Sequence, residues 1–325
     1  MFSTLRDLNF FQKKETPDSY DLTYGWKDFQ DQPHHINFLI SRQQLTDAED
    51  EFGYYPSELD SYLDRNLEKL NTEMMSHLER YTSQLLVMSK HRRYISMEAA
   101  SPKGFSLKLT APPENYEEAK EEFERIRDKI SRERNLYLKK MEKEQKKKRD
   151  EYLEKRGFKL IRDKMGVNYG FCVKNNRPRV KHIVEEMKKG QKRISLHRFL
   201  SLMLTFIQEI RYGLPPFIED DKVILEFWVP PKVLVNNYGD CDSKAVLFAS
   251  MWTNFERFPF LFIDIPNHLI VGIAIPSVSG EGVNINGFKY TLLEVAGPDK
   301  VPPGLISQYS KLYLESGWYS YELIR

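Results

Sequence analysis

From Ser57 onward apolar side chains return every three or four residues: Leu59, Leu63, Leu67, Leu70, Met74, Leu78, Tyr81, Leu85 and Met88. That is the spacing of one helical seam, and Ser57 followed by Asp60 resembles a capping box at its start. After Pro112-Pro113 a second seam runs through Tyr116, Ala119, Phe123, Ile126, Ile130, Tyr137 and Met141, continues into the Lys-rich stretch 143–149, and stops at Gly157. Between the seams, Phe105-Ser106-Leu107-Lys108-Leu109 alternates like a short strand. Two helices of about forty residues at ~1.5 Å per residue would each span ~60 Å, more than a globular core requires. The pattern therefore predicts a long antiparallel helical hairpin, projecting as an arm or packed along the rest of the chain. Its seams serve the hairpin's own packing or a protein partner laid along it, and its Lys-rich end is a solvated face of Glu–Lys pairs or a surface for acidic groups.

Outside the seams the period shortens. Residues 20–26 and 36–41 read as strands joined by a polar loop that holds His34 and His35. Residues 158–161 and 168–173 read as strands, with Cys172 a buried strand residue, and 180–189 as a short charged helix. A helix over 195–210 carries Leu196, Phe199, Leu200, Met203, Leu204 and Ile207 on its apolar side. The chain then divides into a β-containing segment 1–56, the hairpin 57–157, a connector 158–194, and a C-terminal domain 195–325. The class is mixed α+β.

Candidate chemistry lies in that last region. Gly239-Asp240-Cys241-Asp242-Ser243-Lys244-Ala245 precedes the apolar run 246–252. A glycine that permits a tight turn and an aspartate that caps well predict a loop opening into a buried helix with Cys241 in its first turn. Unsatisfied N–H groups and partial positive charge there favour thiolate and can hold an oxyanion. Residues 260–265 read as a strand, Pro266-Asn267 as a turn, and 268–275 as a strand that starts on His268; a third strand, 289–295, follows the turn Asn286-Gly287 and carries Glu294. Alternation can set His268 beside Glu294 on one face, which is the logic of a Cys-His-acid triad.

These blocks, Gly239 to Ala245, Asn267-His268 and Tyr290-Thr291-Leu292-Leu293-Glu294, resemble the signatures of the transglutaminase-like superfamily, especially its bacterial cysteine-proteinase branch. The resemblance extends to Phe206-Ile207-Gln208-Glu209-Ile210-Arg211-Tyr212, Trp228-Val229-Pro230-Pro231 and Gly297-Pro298, covering roughly residues 195–310. It implies a papain/transglutaminase-like C-terminal domain, with a helix-borne cysteine packed on an antiparallel sheet. It also implies catalysis by Cys241 as nucleophile, His268 as base and Glu294 in the third role, where the family often has aspartate. Gln208 is a candidate oxyanion donor or loop anchor, Tyr238 a candidate oxyanion donor and Trp228 a candidate wall of the cleft; a surface glutamine and a core tryptophan are the plain readings of two of them. The expected reaction is amide hydrolysis of a protein or peptide through a thioester, with transfer to an amine as the alternative outcome. A scaffold that retains the fold and binds a partner through its arm is the non-enzymatic alternative.

Composition narrows the rest. Of 325 residues, 41% are hydrophobic and 30% charged, and a net charge of +2 predicts no general attraction to nucleic acid or membrane. Two cysteines, Cys172 and Cys241, show no Cys-x-x-Cys spacing, so neither a metal nor a cofactor is expected. Asp240, Asp242 and Asp264 are the scattered acids behind a calcium-regulated alternative. The opening residues 1–8 lack a basic start and a long apolar core, and no run approaches the ~20 apolar residues of a membrane helix; the expectation is cytoplasmic.

Overall fold

A computed structural model describes residues 9–101, 104–161, 164–189, 194–255, 258–275, 279–297 and 299–324. The opening octapeptide and Pro298, both read above, lie outside them. The fold is mixed α+β, with a long helix pair and antiparallel sheets. The chain divides into two compact units, one made of residues up to Tyr54 together with those from Arg156 onward, the other of Tyr55–Lys155.

The first unit begins with strands β1 (Phe10–Glu15), β2 (Ser19–Lys27) and β3 (Pro33–Ser41), an antiparallel meander, then helix α1 (Arg42–Glu51). His34 and His35 therefore lie in a strand rather than in the loop expected for them. His34 is drawn in by the buried Asp28 carboxylate, 2.8 Å from its Nε2.

In the second unit, α2 (Pro56–Met88) and α3 (Tyr116–Lys155) flank a hairpin of β4 (Ile95–Ser101) and β5 (Gly104–Leu109). The two seams meet as predicted: Met74, Leu78 and Met141 form one buried cluster, and Ile95, Ile126 and Ile130 another. Two details differ. Leu67 and Met88 remain exposed, and α2 starts on Pro56 with Tyr55 as its cap residue, not on a Ser57 capping box. Proline's fixed φ suits the first helical position, so the helix starts there without a side-chain cap. Gly157, at φ +86°, lies just beyond the end of α3.

Back in the first unit come β6 (Phe158–Ile161), β7 (Lys164–Val167) and α4 (Tyr169–Lys188). The strand expected at 168–173 is the opening of α4: Asn168 caps it by accepting the Phe171 N–H, and Cys172 and Val173 are buried on that helix, which packs against the site-bearing helix. Tertiary burial overrides the β-propensity of that apolar run. Neither the first strands nor this connector stands apart, since both belong to the unit that carries the site. The chain continues through α5 (Leu196–Glu209), β8 (Arg211–Tyr212), β9 (Ile218–Glu219), β10 (Lys222–Val223), α6 (Pro230–Asn236), β11 (Tyr238–Gly239) and α7 (Cys241–Phe255). Helix α7 is buried from Ser243 to Trp252 and packs against α4, α5, α6 and the sheet that follows, the position a helix apolar on all sides must take.

That sheet contains β12 (Phe260–Ile265), β13 (His268–Ile273), β14 (Gly282–Ile285), β15 (Phe288–Leu293) and β16 (Ser320–Ile324), with α8 (Gln308–Glu315) before its last strand. The order is β14-β15-β13-β12-β16, antiparallel throughout. Asn286-Gly287 makes the β14–β15 turn as predicted, both residues at positive φ. Among the described residues no helix is long and apolar enough to cross a membrane.

Candidate active site

Helix α7 opens on Cys241 because Asp240 caps it. Asp240 Oδ1 accepts the Ser243 N–H at 3.0 Å, and the Ser243 hydroxyl in turn accepts the Trp228 N–H at 2.9 Å. The sulfur is thus carried at the helix tip, as predicted.

The imidazole and the third carboxylate also meet. Register pairs Val271 with Leu293, so Glu294, one residue past β15, falls on the sheet face of His268, and His268 Nε2 lies 2.6 Å from Glu294 Oε2. Burial of Glu294 opposes its ionisation, but His268, the Ser310 hydroxyl and the Ser307 N–H together outweigh it and hold the carboxyl below its usual range. Both serines come from the start of α8, an element that short-range spacing did not connect to the site.

The sulfur keeps different company. Its thiol donates to Asp242 Oδ1 at 3.3 Å, the Leu269 main-chain N–H reaches toward it, and the Tyr212 phenol lies beside it. Among the described residues no hydrogen bond joins Cys241 to His268; the imidazole's bond runs to Glu294. Burial, then the charges of Asp242 and Asp240, push the Cys241 thiol well above its ordinary value, with Leu269 pulling the other way. The helix tip alone predicted a thiol biased toward thiolate; two adjacent carboxylates in a buried setting reverse that bias.

The acids are themselves perturbed. Burial, then Asp242, push Asp240 up. Burial likewise raises Asp242, against the Tyr169 hydroxyl, which donates to Asp242 Oδ2 at 2.5 Å, and against the charge of His268. Tyr212 is pushed up to about 12 by burial and by the charges around Cys241. Asp240, Cys241 and Asp242 offer donor atoms within 4.8 Å of one another, the one such group among the described residues. Helix capping, the thiol and Tyr169 already engage those atoms, which accounts for their grouping without an ion.

The three cleft candidates have other partners. Gln208 is buried, not a surface residue, and its Nε2 donates to the carbonyls of Glu294 at 2.7 Å and Val301 at 2.9 Å. Both amide hydrogens are spent, so it anchors the loop after β15 and is no oxyanion donor. The Tyr238 hydroxyl donates to the Leu214 carbonyl at 3.1 Å, also away from the sulfur. Trp228 is half-buried, its ring 5.4 Å from that of Tyr238, with the Lys232 ammonium over it. Sequence reasoning missed Tyr169, Tyr212 and the wholly buried Lys244, whose ammonium donates to the carbonyls of Ile210, at 2.5 Å, and Ala296. Tyr212 stood at the end of the block that holds Gln208, but nothing in spacing linked it to a cysteine beyond the β9–β10 hairpin.

Comparison with protein-family models, with curated proteins and with solved structures returns no match for this chain.

Proposed function

We propose that the first unit is a thiol-dependent amide hydrolase of the papain/transglutaminase-like type, working through an acyl-enzyme on Cys241. The observation that carries this reading is the His268–Glu294 pair at 2.6 Å, opening the same strand whose next N–H, that of Leu269, reaches toward a helix-tip sulfur. Leu269 directly follows His268, and the charge of His268 is felt at Asp242, the carboxylate that accepts the thiol's hydrogen bond. With Nε2 on Glu294, Nδ1 is the nitrogen left for the thiol proton.

In the resting state the thiol is neutral and bonded to Asp242. Transfer of its proton to His268 generates the thiolate, which attacks the amide carbonyl while the Cys241 N–H and the Tyr212 hydroxyl face the developing oxyanion. His268 returns the proton to the leaving amine, and the thioester remains. Water, deprotonated by the same imidazole, then releases the acid and restores the thiol; Glu294 stabilises the imidazolium in both halves. An amine in place of that water gives transamidation.

A partner-binding scaffold is the second reading, favoured by a Cys241 only 7% exposed and by two carboxylates that oppose its ionisation. Iodoacetamide labelling followed by peptide mass mapping separates the two. The hydrolase reading expects Cys241 to label faster than Cys172, with a pH profile that His268→Ala changes. Equal, slow labelling of both cysteines, with no profile change in the variant, favours the scaffold.

A further inference from the structure

A hydrogen bond joins the first turns of α4 and α7: the Tyr169 phenol donates to Asp242 Oδ2 at 2.5 Å. The other oxygen of the same carboxylate, Oδ1, accepts the Cys241 thiol at 3.3 Å. Neighbouring side chains on a helix point about 100° apart, so an aspartate next to a cysteine has no inherent reason to face its sulfur. Here the carboxylate is held from outside its own helix, one oxygen on the tyrosine and the other on the thiol. The imidazole meanwhile is bonded to Glu294, and among the described residues no hydrogen bond joins it to the thiol. The bond to Asp242 is therefore what the thiol must give up before its proton can pass to His268.

The tyrosine is itself held. Its ring lies 5.1 Å from that of Phe262 on β12, with the Lys159 ammonium of β6 over it at 5.4 Å. Lys159 pairs with Glu322 of β16, whose carboxylate also accepts the N–H of Gly170, the residue after Tyr169, at 3.3 Å. Strands β6, β12 and β16 thus fix the phenol independently of its bond to Asp242. Burial, then the charge of Asp242, push the phenol well above its ordinary value, so it remains a donor at neutral pH. The charges of His268 and Glu226 also act on the Asp242 carboxylate, Asp242 and Asp240 act on each other's surroundings at the helix tip, Asp264 acts on the phenol, and Tyr212 lies beside the sulfur.

We propose that Tyr169 is a positioning residue for the nucleophile: through Asp242 it holds the Cys241 thiol in its proton-retaining state, and release of that hold frees the thiol for His268. The inference rests on the hydrolase reading for its second half and on the hydrogen bonds alone for its first. In the full chain, Tyr169→Phe keeps the ring between Phe262 and Lys159 and removes only the hydroxyl. Iodoacetamide labelling with peptide mass mapping should find Cys241 reacting roughly tenfold faster near neutral pH in the variant, with its pH profile displaced downward and Cys172 unchanged. Cys172 lies on the same helix as Tyr169 and reports whether that helix has merely loosened. No gain, a gain shared equally by both cysteines, or a gain that persists in full when Asp242→Ala is already present overturns the positioning role. Adding His268→Ala to Tyr169→Phe separates the two halves. A gain lost in that double variant supports transfer of the thiol proton to the imidazole, whereas a gain that survives supports the hold on the thiol and removes the hydrolase. No gain in Tyr169→Phe, while His268→Ala still alters the wild-type profile, overturns the positioning role and leaves the hydrolase reading standing.

Discussion

His268 Nε2 lies 2.6 Å from Glu294 Oε2, and Glu294 is held in turn by the Ser307 N–H and the Ser310 hydroxyl. The imidazole is thereby fixed in tautomer and orientation by an acid that is itself fixed. Glu294→Gln is expected to keep the contact but lose the charge that stabilises imidazolium, lowering kcat/KM for amide hydrolysis on the order of 10²-fold. His268→Ala should abolish turnover, and steady-state assays on both variants check the order.

The Asp240–Cys241–Asp242 sequence gives a second expectation. Asp240→Asn keeps an accepting oxygen for the Ser243 N–H, since asparagine caps as well as aspartate, but removes one of the charges that raise the thiol. A neighbouring like charge shifts a pKa by about one unit or more. Iodoacetamide should therefore label Cys241 roughly tenfold faster near neutral pH in the variant. Labelling at the wild-type rate would mean that burial alone sets the thiol's value.

Lys244 predicts a pH dependence of stability. Burial pushes its ammonium down to about 7 from an ordinary 10.5, against the pull of Glu209 and Asp240. Between those values the unfolded chain binds more protons than the folded one, so stability rises with pH, and this contribution is lost as pH falls through the folded value. Unfolded thiols titrate near ~8.5 and act in the opposite sense, because both cysteines are raised in the fold. The clean window is therefore about pH 7 to 8. Urea midpoints should climb across it in the wild type and less steeply in Lys244→Met.

Gln208 closes the loop after β15 onto α5 through two carbonyls. Gln208→Ala strands both acceptors in a buried place, at about 1–3 kcal/mol for each group left unsatisfied. Chemical denaturation should record that loss. Since Glu294 lies on the tethered segment, the variant is also expected to change the pH profile of Cys241 labelling.

What the sequence made legible follows the range of the physics involved. The paired long helices and the α7 tip announce themselves through neighbours a few positions away: the Met74 and Met141 seams, the Asp240 cap, the Asn286-Gly287 turn. The three strands around His268 were legible for the same reason. Relationships made by the folded chain were not. Tyr169 reaches Asp242 across 73 positions, and its segment read as a strand because nothing local revealed that α4 would lie on α7. Gln208 looked like a surface residue because its partners, the Glu294 and Val301 carbonyls, are main-chain groups that any residue supplies. The thiol's reversed bias was hidden similarly: the helix tip is a local feature, while the burial that magnifies two adjacent carboxylates belongs to the whole fold.

Within the first unit, the segments before and after the second are tied together, for the Gly53 N–H donates to the Arg156 carbonyl at 3.0 Å and the Tyr54 N–H to the Val223 carbonyl. Exit and return are thus stitched side by side. Joining Tyr54 to Arg156 through a short linker should yield a self-standing protein, whereas trimming the first fifty residues as a dispensable leader would strip β2 from α5, where Tyr24 and Trp26 each meet Phe206 at 5.2 Å.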